Sequence, residues 1–156
     1  MSHHIQDAKW NASWVTNSPF SGGGFVLELA PGTVTYGSIG MDQTLSPMHV
    51  EFTILLYAMK NSLQLGVTSM SFESDCLQLV KLINDEEDWP AMASELNEFI
   101  HLLSLFAVFS ISFIARERNV RADILAKGAR SKNSIFSHVD SVIPGWLFRS
   151  IGPLLL

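Results

Sequence analysis

Thr68-Ser69-Met70-Ser71-Phe72-Glu73-Ser74-Asp75-Cys76 decides the fold. Met70 and Phe72 fall on one face of a short strand, and helical spacing flanks that strand on both sides. Before it, Val50, Ile54, Tyr57, Ala58 and Leu65 recur at helical intervals, from a start at Ser46-Pro47 to a stop at Gly66. After it, Leu79, Val80 and Ile83 form one apolar stripe beginning beyond Cys76. Strands separated by helices pair in parallel, because a crossover returns the chain in its original direction. Asp75 stands where the strand hands over to the next helix.

Upstream the pattern is different. Trp10 to Val15 reads as a strand, Asn17-Ser18-Pro19 and Ser21-Gly22-Gly23-Gly24 as turn chemistry, and Phe25 to Leu29 as a second strand. Pro31-Gly32 then signals a hairpin into a third strand, Thr33 to Ser38. Downstream, Trp89-Pro90 opens a helix with the stripe Met92, Leu96, Phe99 and Leu103. Phe109 to Ile114 alternates as a strand, and Asn119 is placed to cap a last helix that turns Ala122, Leu125, Ala126 and Ala129 inward. The order β-β-β-α-β-α-α-β-α predicts one α/β domain, an antiparallel meander joined to parallel strands. Its expected extent is 9–131, with an N-terminal lead over 1–8 and a C-terminal tail over 132–156, docked in part or disordered. In that tail Trp146-Leu147-Phe148 is expected to dock, and Pro153-Leu154-Leu155-Leu156 to form a loose apolar end.

Composition narrows the function classes. The 156 residues carry a net charge of −5, which argues against a general nucleic-acid binder. The charge is unevenly placed, however. Six of the ten basic residues (Arg116, Arg118, Arg121, Lys127, Arg130, Lys132) fall in one short segment with two acids, Glu117 and Asp123. Such a patch attracts a polyanion locally, although a solvated helix face has the same composition. The single cysteine, Cys76, excludes an internal disulfide and fits a reducing compartment. The start Met1-Ser2-His3-His4 lacks the basic-then-apolar pattern of a secretory signal, so the expected location is intracellular, cytoplasmic or nuclear. The most apolar stretch, Leu102 to Ile114, is shorter than the roughly 20 residues of a spanning helix.

Glu51 lies in the first turn of the first long helix, Asp75 at a strand end and Asp123 in the first turn of the last helix. Sites in open α/β sheets form outside the carboxyl ends of strands, where such residues meet. Carboxylates forced together repel unless a proton or a cation intervenes, and oxygen ligands suit Mg²⁺ or Mn²⁺. Each acid also has a plain structural reading: Glu51 and Asp123 favour the positive end of a helix dipole, and Asp75 is placed to cap the helix after it. His49, beside Glu51, reads as a capping or packing residue, and Trp10 and Trp14 as core.

Together, Trp10-Asn11-Ala12-Ser13-Trp14, Ser21-Gly22-Gly23-Gly24, His49-Val50-Glu51, Glu73-Ser74-Asp75 and Arg118-Asn119-Val120-Arg121-Ala122-Asp123-Ile124-Leu125-Ala126 resemble the type 1 ribonuclease H domain. The resemblance is to its plant branch in retrotransposon-derived reading frames and covers about Lys9 to Arg130. It implies a five-stranded mixed sheet with the second strand antiparallel, flanked by helices. It implies binding of an RNA–DNA hybrid and cleavage of the RNA strand with two Mg²⁺ (or Mn²⁺) ions held by Glu51, Asp75 and Asp123. Gly22, Gly23, Gly24, Arg116, Arg118, Asn119 and Arg121 are the nucleic-acid contacts it implies, in a monomer. One position departs: the first-strand aspartate of the family is Asn11 here. Asparagine is neutral and its amide nitrogen cannot ligate a metal, so the expectation is an intact fold with impaired cleavage. Two alternatives stand beside it, a non-catalytic nucleic-acid-binding remnant and a protein-interaction module using the acidic loop Asp85 to Asp88.

Overall fold

The computed structural model describes residues 5–30, 32–43, 46–85 and 89–147. Pro31, Glu86 to Asp88, Phe148 and the apolar end Pro153 to Leu156 lie outside the described residues. Six strands, β1 (Gln6–Ser13), β2 (Phe20–Ala30), β3 (Thr33–Asp42), β4 (Ser69–Ser74), β5 (Val108–Phe113) and β6 (Phe136–Asp140), make one sheet in the order β5-β4-β1-β2-β3-β6. The helices are α1 (Pro47–Gln64), α2 (Leu77–Asn84), α3 (Ala93–Leu103) and α4 (Val120–Ser131). β1, β4 and β5 run parallel, while β2 pairs antiparallel with both β1 and β3.

The mixed sheet flanked by helices is the expected one, with a sixth strand in place of the expected five. β6 lies inside the stretch read as tail and adds to β3 through pairs from Tyr36↔Asp140 to Gly40↔Phe136. It is short and half-exposed, and a strand whose face is only partly buried leaves little alternation to read. β1 likewise starts at Gln6, ahead of Trp10, and ends at Ser13. No helix among the described residues is long and apolar enough to cross a membrane.

The sheet has two unequal cores. On one side α1, α2 and α3 bury Trp10, Phe52, Phe72, Leu79 and Leu82 completely. On the other, α4 and the stretch after β6 enclose a smaller group, Val26, Leu125, Ile143 and Leu147. Ser46 caps α1, its hydroxyl accepting from the His49 backbone N–H, and Gly66 at φ +77° ends that helix region without Cβ strain.

Gly22, Gly23 and Gly24, read above as a turn, lie inside β2 and are buried. Successive residues of a strand face opposite sides, and both sides here need the missing side chain. A Cβ on Gly22 would overlap the Ala126 carbonyl oxygen, and one on Gly24 would overlap the Ala122 carbonyl and reach 2.7 Å from the Ala126 nitrogen. A Cβ on Gly23 would strike Ile54 of α1. The glycines therefore let α4 and α1 rest on the sheet backbone, and they have no free surface for a nucleic-acid strand. Gly22→Ala forces α4 off the sheet and is expected to destabilise the protein by about 1–3 kcal/mol, the usual range for overpacking. Gly145→Ala, with open space around its Cβ, is expected to change stability by less than about 0.5 kcal/mol. Denaturant titration of the two variants checks the contrast.

Candidate active site

Asn11 is buried at the middle of the sheet, in the strand between β4 and β2. Parallel pairing of β1 with β4 runs to Lys9↔Glu73, and extending that register by two residues sets Asn11 level with Asp75. The α1 start brings Glu51 to the same place, where its Oε1 accepts from the Ala12 backbone N–H at 3.1 Å. Asp123, in the first turn of α4, accepts from Asn11 Nδ2 at 3.1 Å through Oδ1. Residues separated by 112 positions in the chain are thus joined directly.

Two buried hydrogen bonds fix these elements around β1. The Trp10 indole N–H donates to the Glu51 carbonyl oxygen at 3.0 Å, and Asn119 Nδ2 donates to the Trp10 carbonyl oxygen at 2.9 Å. Asn119 occupies the cap position of α4, but its side chain makes no cap bond. It is 1% exposed, with Nδ2 bonded inside the protein and Oδ1 buried without a partner, so in this structure it presents no surface to nucleic acid.

The orientation of the Asn11 amide follows from its neighbours. The Ala12 backbone N–H donates to Asn11 Oδ1 at 2.9 Å. Turning the amide over would face an NH₂ to that N–H, so the donor end is held toward Asp123. The second oxygen of Asp123 takes the Lys127 ammonium at 2.9 Å, one helical turn on. Asp75 Oδ2 has the Arg116 guanidinium at 3.6 Å. Lys127 was not singled out from the sequence as a site residue, although its i+4 spacing from Asp123 on an exposed helix face was there to be read.

Glu51 is in a different state. Burial removes water from its carboxyl and pushes its pKa from 4.5 to about 8, the Ala12 N–H opposes that, and the charges of Asp75 and Asp123 add to it. Glu51 Oε2 is buried with no hydrogen-bond partner. Cys76, next to this group, is pushed up to about 11, by burial first and then by the nearby Glu51 charge.

These donors do not fit a two-ion site. Asn11 presents N–H where a ligand oxygen is required, Asp123 shares its two oxygens with Asn11 and Lys127, and Asp75 faces the Arg116 guanidinium. Among the described residues no three His, Cys, Asp or Glu side chains are grouped so as to hold a metal ion. His49 stays apart from the acids: its Nδ1 is 2.6 Å from Ser46 Oγ and its Nε2 is 3.2 Å from the Ala91 carbonyl oxygen.

The basic residues divide. Arg116 and Arg118 are exposed in the 3-10 turn Arg116–Arg118 ahead of α4, at the rim of the site. Arg121 is paired with Glu28 on β2, and Arg130 Nε donates to Ser13 Oγ at 2.8 Å.

A family model described as Reverse transcriptase-like matches residues 9–129. Among solved structures, an RNase H1 from the halophilic archaeon Halobacterium salinarum aligns with a TM-score of 0.75 and 21% identity, over 83% of this chain and 99% of the other. The N-terminal RNase H domain of a Mycobacterium tuberculosis protein, solved as a fusion with maltose-binding protein, gives 0.73 and 20%, over 82% and 94%. LC11-RNase H1 in complex with an RNA/DNA hybrid gives 0.72 and 18%, over 81% and 97%. No curated protein gives a match.

The buried acid generates a pH signature. The unfolded chain releases the Glu51 proton near pH 4.5 and the folded protein keeps it to about pH 8, so Glu51 lowers stability progressively across that interval. The loss is on the order of a few kcal/mol and levels off above the folded pKa, while below pH 4.5 the effect vanishes. Glu51→Gln is expected to remove this component. Denaturant unfolding of both proteins in EDTA between pH 4 and 9 measures it, as a difference in stability that grows with pH in favour of the glutamine variant.

Proposed function

The chain belongs to the reverse transcriptase-like family and has the RNase H fold, and from that premise we propose that it is a nucleic-acid-binding domain for an RNA–DNA hybrid in which cleavage of the RNA strand is impaired. RNase H-like proteins are generally dependent on divalent metal. Glu51, Asp75 and Asp123 are the residues assigned to that role by position, and Asn11 is the one that blocks it. The observation that carries this reading is the Asn11 amide held donor-first against Asp123. An ion arriving there meets an N–H and one negative charge fewer than an aspartate would supply.

Hybrid binding rests on different residues. Arg116 stands exposed beside Asp75 and Arg118 is exposed in the same turn, on the side where a phosphate backbone crossing the site would run. Their contacts are electrostatic, so affinity falls with salt. That one similar structure is a complex with an RNA/DNA hybrid supports the same partner class. Gly22 to Gly24 and Asn119 drop out of the contact set because they are buried.

Cleavage of a labelled hybrid in Mg²⁺ or Mn²⁺ separates the possibilities. Wild type is expected to be at background, and Asn11→Asp to raise the rate by at least about 100-fold, since a positioned acid–metal set contributes several kcal/mol to the barrier. Normal metal-dependent cleavage by wild type, with mass spectrometry excluding deamidated Asn11, defeats the impairment. Arg116→Ala and Arg118→Ala are each expected to weaken hybrid binding and to reduce the salt slope by about 1.

A further inference from the structure

We propose that the groove between α4 and the segment around Trp146 is a second nucleic-acid subsite, which takes a single-stranded segment with a phosphate on Lys132 and a base against Trp146. It goes beyond hybrid binding and does not require it.

The groove is a cavity of about 430 Å³ lined by Ile124, Lys127, Gly128, Lys132, Trp146 and Leu147, together with Ser131. That size lies within the range of small-ligand sites, roughly 300–1,000 Å³. Ile124, Lys127, Gly128 and Ser131 recur at three- and four-residue intervals, so one face of α4 forms a wall of the groove. Gly128 is essential to its shape. A Cβ there would lie 2.5 Å from Leu147 Cδ1 and 3.2 Å from Trp146 Cζ3, so glycine lets the following segment close onto the helix.

Trp146 is a prepared ring rather than a loose one. Its indole packs edge-on against Phe136 of β6, with centroids 5.8 Å apart, and the Lys132 ammonium sits 4.9 Å from its centroid. The ammonium lies over the ring, so a base reaches the indole as Lys132 turns to the adjoining phosphate, and the pair supplies the two recognition elements of single-stranded nucleic acid, a π surface and a cation.

Charge selects the occupant. Among the described residues, the titratable side chains lining the groove, Lys127 and Lys132, are both basic, in a chain whose net charge is −5. Lys127 also reaches Asp123, so the groove begins where the acid site ends and continues along the same helix. A strand leaving the acid site along α4 passes Lys127 before Lys132 and Trp146. With Lys127 paired to Asp123, the cation the groove offers is Lys132; an apolar partner has no use for it, and an acidic peptide uses it without the ring.

The test is a titration of the full-length chain with a labelled single-stranded oligothymidylate, beside a blunt hybrid and the same hybrid carrying an overhang. Wild type is expected to bind the oligothymidylate and to gain affinity from the overhang. Lys132→Gln, at an exposed position that leaves the fold intact by circular dichroism, is expected to weaken oligothymidylate binding roughly 5-fold or more and to abolish the overhang gain. Blunt-hybrid binding is expected to stay unchanged in that variant, and Trp146→Phe, which keeps a ring, to retain most of the gain. Equal oligothymidylate binding by wild type and Lys132→Gln overturns the subsite, as does the absence of binding to wild type. Displacement of the oligothymidylate by a polyglutamate peptide at equal charge concentration also overturns it, in favour of an acidic protein partner. Loss of blunt-hybrid binding alone counts against the hybrid reading of the acid site and leaves this groove standing.

Discussion

The carbonyl oxygen and indole of Trp10 hold the site together. One accepts the Asn119 amide from the start of α4, and the other donates to the Glu51 carbonyl at the start of α1. Both bonds are buried, so breaking either strands a polar group away from water, at about 1–3 kcal/mol. Each helix is thereby tied at its first turn to the strand that carries Asn11, and first turns are where Glu51 and Asp123 sit. The glycines of β2 act in the same direction from below, since the α4 backbone rests on theirs. The acid site is a consequence of how closely two helices are drawn to one strand.

That construction accommodates a neutral amide at position 11. An aspartate there would face Asp123 and Glu51 and would need a cation to offset the repulsion. The asparagine offsets it internally: its amide donates to Asp123, its oxygen accepts from Ala12, and Lys127 covers the other Asp123 oxygen. Arg116 stands near Asp75, and Glu51 holds its proton up to about pH 8. Repulsion among the acids is therefore relieved by hydrogen bonding, two basic side chains and one proton, with no demand on a metal ion.

Much of this was readable in the sequence, for identifiable reasons. The helices α1 to α4 have strong apolar periodicity and clear stops, such as Gly66, and their positions followed from it. The parallel core followed from Thr68 to Phe72 lying between helices. Gly22 to Gly24 were misread because three consecutive glycines are a turn signal on local grounds. The close approach of α4 to Gly22 and Gly24, about a hundred residues later in the chain, and of Ile54 to Gly23 shows why glycines stand inside this strand. Asn119 stands at the cap position read for it, but its Nδ2 donates to the buried Trp10 carbonyl and its Oδ1 makes no cap bond, a long-range pairing that local propensity does not show. β6 was missed because its side chains are half-exposed, and Lys127 because a lysine on a helix face reads as solvated until its partner is known.

The basic segment is where local and global readings separate furthest. As a sequence it is one run of six positive charges, a single patch in principle. In the fold its members have different duties. Arg121 pairs with Glu28, Arg130 donates to Ser13, and Lys127 covers Asp123, so those charges serve the body of the protein. Arg116 and Arg118 stand at the rim of the acid site, and Lys132 lies at the far end of the same helix against Trp146. The exposed cations without an acid partner inside α4 thus fall toward its two ends, with the acids near one end and an aromatic ring at the other. A charge pattern that is helical in period and split in this way favours a ligand that extends along the helix over one bound at a point, because a point ligand engages one end alone. A phosphate backbone, with charge repeated along its length, has the chemistry to engage both, which is the reason the proposed subsite is assigned to nucleic acid.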